Sequence, residues 1–143
     1  NRCGVMAKIN AIVDTGFVVG ALDVADQWHE WAARQFPQLA SPVLTCEAVL
    51  SEACFQLRLV SSARNRLMAW IKSGGMHVVP LFSAEVEPVE ALLERYGVRM
   101  DFADACLVRL SELHRRHTIV TTDANDFRIY RRFRRERLPL LVP

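Results

Sequence analysis

The side chains here with the clearest capacity for chemistry are carboxylates placed where apolar stretches end. Ala11-Ile12-Val13 runs into Asp14, and Ile119-Val120-Thr121-Thr122 runs into Asp123, with Asp126 three residues later. Two more acids sit inside apolar helical patterns, Glu52 in "AVLSEACF" and Asp104 in "MDFADACLVRL". Each has a plain structural explanation. Asp14 can cap the turn that opens with Thr15-Gly16. Asp104, three residues after Asp101, fits an acidic variant of a capping box. Glu52 can be an exposed acid on an amphipathic helix. Glu47 lies five residues earlier, about 140° away around a helix axis, so only one of the two glutamates can face a shared site. Glu47 stands at a helix start, where an acid is favoured anyway; Glu52, among apolar neighbours, is the better candidate.

Taken together, the four acids suggest more than caps. Clustered carboxylates repel one another, which raises their pKa values and destabilises the fold. A divalent cation removes that cost. Oxygen donors without histidine or thiolate favour Mg²⁺ or Mn²⁺ over zinc, and such sites act on phosphate esters. The four histidines are scattered, His114 and His117 stand among arginines, and no C-x-x-C pair occurs, so a zinc site is not expected. A phosphoryl-aspartate mechanism fits poorly, because "DTG" lacks a second aspartate two residues after the first.

These acids need a scaffold that brings them together. "KINAIVDTG" predicts a short strand ending at Asp14, and "DVADQWHEWAARQF" a helix with Asp23 or Asp26 at its start and Pro37 after its end. "SPVLT" predicts a strand, "CEAVLSEACFQLRLV" and "SARNRLMAWIKSGG" helices, and "MHVVPLF" a strand. "SAEVEPVEALLERYG" predicts a helix opened by Ser83 and stopped by Gly97. "DFADACLVRLSELHRR" predicts a helix, "HTIVTT" a strand, then a turn or short helix, and "LPLLV" a last strand. This alternation implies an α/β fold: a central, mostly parallel sheet of about five short strands with helices on both faces. In such sheets ligands bind at the carboxyl ends of the strands, where Asp14 and Asp123 fall.

The 143 residues suit one domain, and 51% hydrophobic with 24% charged residues suits a packed core. Net charge is only +2, yet Arg128, Arg131, Arg132, Arg134, Arg135 and Arg137 crowd into ten residues. That run reads as a phosphate-attracting patch, a docking surface for an acidic partner segment, or a solvated face. No apolar run reaches the ~20 residues of a membrane span, and no basic-then-apolar leader is visible. Cys3, Cys46, Cys54 and Cys106 read as free structural thiols in a reducing, cytoplasmic compartment. Residues 1–7 read as an extension, left from cloning if Met6 is the natural start; residues 8–143 form the domain.

The segments "AIVDTG", "AVLSEACF", "FADACLVRL" and "IVTTDANDF", in this order and spacing, resemble the PIN-domain ribonucleases of the VapC toxin type. The resemblance covers nearly all the chain from about Lys8. It implies an acidic catalytic site at Asp14, Glu52, Asp104 and Asp123. Asp14, Asp104 and Asp123 would hold Mg²⁺ or Mn²⁺, with Glu52 as ligand or through water. Thr15 and Thr122 match hydroxyl positions beside the first and last acids. Asp126 matches a further acid of variable role, which can cap the turn, support the site or reach the metal. Arg128, Arg131, Arg132, Arg134 and Arg135 become RNA-binding candidates. Gly16 stands where a serine is common, and Asp101 where a serine or threonine often caps the helix. The implied function is metal-dependent endoribonuclease, toxin of a type II toxin–antitoxin pair, leaving 5′-phosphate and 3′-hydroxyl ends. The implied partners are RNA, a cognate antitoxin and a second copy of the chain, with no membrane. The alternatives are a PIN-domain nuclease in RNA processing or DNA cleavage, and a non-catalytic PIN-like binding module.

Overall fold

The computed structural model describes residues 7–143, so the expectation about residues 1–7 falls, except for Ala7, outside the described residues. Five short strands form one sheet: β1 (Ala11–Val13), β2 (Val43–Cys46), β3 (Met76–Val79), β4 (Thr118–Val120) and a last strand, Leu140–Leu141. Every pairing in it is parallel, in the order β3, β2, β1, β4, last strand. All of β1 and β2 is buried, as the continuous apolar runs require when both faces are covered.

The helices are α1 (Thr15–Leu22), α2 (His29–Gln35), α3 (Glu47–Gln56), α4 (Ala63–Lys72), α5 (Val86–Tyr96), α6 (Phe102–Leu113) and the short α7 (Ala124–Phe127). One apolar cluster packs Phe17, Val18, Trp31, Ala53, Leu57 and Leu67 beneath β1. The other packs Val89, Leu92, Leu107, Leu110, Phe127 and Tyr130 on the opposite face. The sheet is thus covered on both sides, with its carboxyl edge left open to carry polar groups. Among the described residues, no helix is long and apolar enough to cross a membrane.

Two elements depart from the expected order. Residues 15–22 form a helix rather than a loop. Val18, Val19, Gly16 and Gly20 are poor helix formers, and the segment is apolar on every side, so no amphipathic period marks it. Burial of Phe17, Val18 and Val19 offsets the weak propensity. Gly20 permits the approach of α2: a Cβ there would lie 3.2 Å from the Trp28 carbonyl oxygen. The second departure is a two-stranded antiparallel hairpin, β5 (Arg131–Arg132) and β6 (Glu136–Arg137), inside the arginine run; the last strand of the sheet is therefore β7. Ser83 does not cap α5, which starts later, at Val86.

Candidate active site

Strand register places the first acids. Asp14 follows β1 and Asp123 follows β4 after two threonines, and Val13 pairs with Val120. The two carboxylates therefore emerge from adjacent strands at one edge. Asp104 lies in the first turn of α6, with Asp101 as N-cap accepting from the Asp104 amide at 2.8 Å. Asp123 caps α7 by accepting from the Asp126 amide at 3.1 Å through Oδ1, which leaves Oδ2 free. Capping and facing a site are thus compatible roles for one aspartate.

One carboxylate oxygen from each of Asp104, Asp123 and Asp126 lies within 4.8 Å of the others, close enough to share a cation. Asp126 is therefore a member of the tightest trio, while its Oδ1 also accepts from Arg99 at 2.9 Å. Asp14 is anchored beside them by the Thr15 amide at 2.7 Å and the Thr121 hydroxyl at 2.7 Å. Glu52 joins from α3, accepting from the Thr15 hydroxyl at 2.7 Å. Glu52 and Glu47 are both exposed on α3, and of the two only Glu52 makes such a contact.

The electrostatics match this crowding. Burial pushes the Asp14 carboxyl up to about 6, against two hydrogen bonds that favour its charged form; the charges of Glu52 and Asp101 add to the rise. Burial also pushes Asp104 up to about 7, with Asp101, Asp14 and Asp123 adding to it. Asp123 is raised as well, chiefly by burial. In their ionised state such crowded groups are stabilised by a positive partner. The donor set, all carboxylate oxygen and partly open, fits a hard divalent cation.

Two side chains that hold the acids escape a motif-level reading. Thr121, rather than Thr122, reaches Asp14, and its oxygen also accepts from the Asp123 amide at 3.0 Å. Strand alternation carried this signal: residues i and i+2 share a side, so Thr121 goes with Asp123 and Thr122 points away. Thr122 instead fills the space above Gly16, where a Cβ would overlap its hydroxyl. The glycine thus lets the start of α1 close against the segment after β4. The other side chain is Tyr130, fully buried between Phe127 and Tyr96. Its hydroxyl lies 2.8 Å from Asp104 Oδ2 and 3.0 Å from the Arg99 carbonyl. A single tyrosine in an arginine run carries no periodic signal.

The arginines divide. Arg132 is a correction to the RNA-binding candidates: it is 5% exposed and points inward. It donates to Ser111 Oγ and the carbonyls of Ser111 and Arg115, and pairs with Glu136 at 2.6 Å. A charge enclosed this way needs its partners and is closed to an incoming phosphate. Arg128, Arg131 and Arg137 line one cleft of about 490 Å³. Arg134 and Arg135 lie on a different groove, against Arg95 and Glu94 of α5.

The PIN-domain family model matches residues 11–137. No curated protein matches the chain. Among solved structures, the chain is similar to Mycobacterium tuberculosis VapC20, described as a sarcin-ricin loop cleaving toxin. The TM-score is 0.73 at 22% identity, covering 82% of this chain and 92% of that one. It is also similar to FitAcB from Neisseria gonorrhoeae, with a TM-score of 0.55 at 16% identity, covering 82% and 90%. At these identities the likeness speaks to the fold.

Proposed function

The chain belongs to the PIN-domain family, and on that premise we propose that it is a metal-dependent endoribonuclease, the toxin of a type II toxin–antitoxin pair. The observation that carries the reading is the convergence of Asp14, Glu52, Asp104, Asp123 and Asp126 at the carboxyl edge of the sheet. A single-stranded RNA incubated with the pure protein is expected to be cut in Mg²⁺ or Mn²⁺ and to stay intact in chelator. Equal cutting in chelator would remove the metal from the reading.

Asp104, Asp123 and Asp126 would hold the cation, with Asp14 beside them. When bound, Mg²⁺ or Mn²⁺ acidifies water and offsets the charge gathering on the phosphodiester in its transition state. The chain's own groups set the geometry. The Thr15 amide and Thr121 hydroxyl keep both Asp14 oxygens in place. The Thr15 hydroxyl holds one oxygen of Glu52, leaving the other to accept the proton of the attacking water. Water adds to phosphorus, the bond to the 3′ oxygen breaks, that oxygen takes a proton from solvent, and the products carry 5′-phosphate and 3′-hydroxyl ends.

Tyr130 acts through Asp104, by fixing the carboxylate with its hydroxyl. Tyr130→Phe keeps the ring packing and deletes that donor. It is expected to weaken Mn²⁺ binding and slow cleavage by ~10-fold or more, while far-UV circular dichroism stays native. Unchanged Mn²⁺ affinity in a calorimetric titration would deny the tyrosine this role.

RNA attraction is assigned to the cleft of Arg128, Arg131 and Arg137. Because Arg131 also donates to the carbonyls that end α7, the cleaner test uses Arg128→Ala with Arg137→Ala. The pair is expected to lower the slope of log K against log salt by about 1.4 for binding of single-stranded RNA. A slope equal to wild type would move the contact to the groove of Arg134 and Arg135 or to a protein partner. A cognate antitoxin, a homodimer and a cytoplasmic setting complete the proposal.

A further inference from the structure

At the carboxyl edge of the sheet, two phenylalanines remain unexplained by the core. Phe82 and Phe102 are 42% and 43% exposed. Their rings meet edge to face, with centroids 5.0 Å apart. The two rings together leave a contiguous apolar surface in water, the kind of patch a ligand covers.

Their position relative to the acids follows from the backbone. In the parallel register Cys46 pairs with Val79, and Ile12 with Leu44. Continued by two residues, the second pairing levels Asp14 with Cys46 and Val79. Phe82 follows Val79 by three residues, so it starts two strands from Asp14, about 10 Å along the edge. Phe102 is the first residue of α6, in the same turn as Asp104. The two are about 200° apart around the helix axis, so acid and ring flank the same helix end. Arg109, on the Phe102 side of α6, pairs with Glu85 at 2.7 Å, which fixes the segment carrying Phe82 against the helix.

We propose that Phe82 and Phe102 form a stacking platform for one unpaired base of the RNA, flanking the phosphate held at the acids; this rests on the nuclease reading. An edge lined by carboxylates repels the phosphate backbone everywhere except at a bound cation. A nucleotide next to the scissile phosphate is therefore held best by its base. Unstacked bases of single-stranded RNA are bound on aromatic faces without need of hydrogen-bond readout. The platform selects for an unpaired, splayed nucleotide at the cut rather than for a particular base.

The test uses an RNA that the wild-type protein cleaves, with each nucleotide near the cut replaced in turn by an abasic ribose. Single-turnover kcat/KM is compared between wild type, Phe102→Ala and Phe102→Trp. The expected result is a ~10-fold or greater loss for Phe102→Ala on intact RNA and near recovery in Phe102→Trp. One abasic position should cost the wild type as much, and cost Phe102→Ala nothing further. Losses that add at every position mean a structural role for the ring and overturn the proposal. A wild-type rate in Phe102→Ala overturns it while leaving the nuclease reading intact. A changed dimer mass by light scattering, without coupling to an abasic position, assigns the pair to a second copy instead. If the wild type cleaves no RNA, the nuclease reading itself fails, and the platform with it.

Discussion

Asp14→Asn is expected to unfold at a higher temperature than wild type at pH 8 without divalent cation, and to cleave no RNA. The stability half follows from the raised carboxyl. Asp14 has a folded pKa of about 6 against an ordinary 3.8. Below about pH 3 the group is protonated in folded and unfolded chains alike, and nothing is lost. As pH rises from 4 through 6, the unfolded chain releases the proton first, so stability falls. The full shift corresponds to on the order of 3 kcal/mol. Asparagine never ionises, and it keeps an oxygen for the Thr15 amide. The gain should therefore be near 10 °C in Tm at pH 8 and vanish by about pH 3. The activity half follows from loss of a charge beside the metal trio, costing ~10³-fold or more in rate. A variant less stable than wild type at pH 8 would mean that Asp14 is a structural cap whose charge the fold needs.

The second large effect is that of the metal on the fold. Mn²⁺ or Mg²⁺ at 100-fold above its dissociation constant should stabilise the wild type by about 2.7 kcal/mol. The effect should be large at pH 8 and weak at pH 5, since binding at pH 5 must first displace protons from Asp14 and Asp104. Asp123→Asn should abolish most of it. Asp126→Asn should weaken it less, because Asp126 already shares an oxygen with Arg99. Melting curves with and without metal at the two pH values decide this. A melting temperature indifferent to metal at pH 8 would argue that the acids are neutralised by other means.

The framework of the site was legible from residue patterns, because short apolar runs ending in acids mark buried parallel strands and their open edge. β1 and β4 stand where their runs predicted. The angle between Glu52 and Glu47 lets only one face the site, the apolar neighbours favour Glu52, and it is Glu52 that meets Thr15. What stayed hidden depends on tertiary packing. α1 is apolar all round and glycine-broken, so only its burial under α2 reveals it. The arginine run reads as one patch in sequence, yet the β5–β6 hairpin turns Arg132 inward and carries Arg134 to a different groove from Arg128. The tyrosine that grips Asp104 lies 26 residues away in sequence, beyond any local pattern.

The central claim is that this acidic edge hydrolyses RNA, and the most direct measurement maps new RNA 5′ ends after brief expression of the wild type and of Asp14→Asn. Discrete new 5′-phosphate ends are expected in the wild type alone. No new ends, or the same ends in both, would contradict it and favour a PIN-like module that binds without cutting.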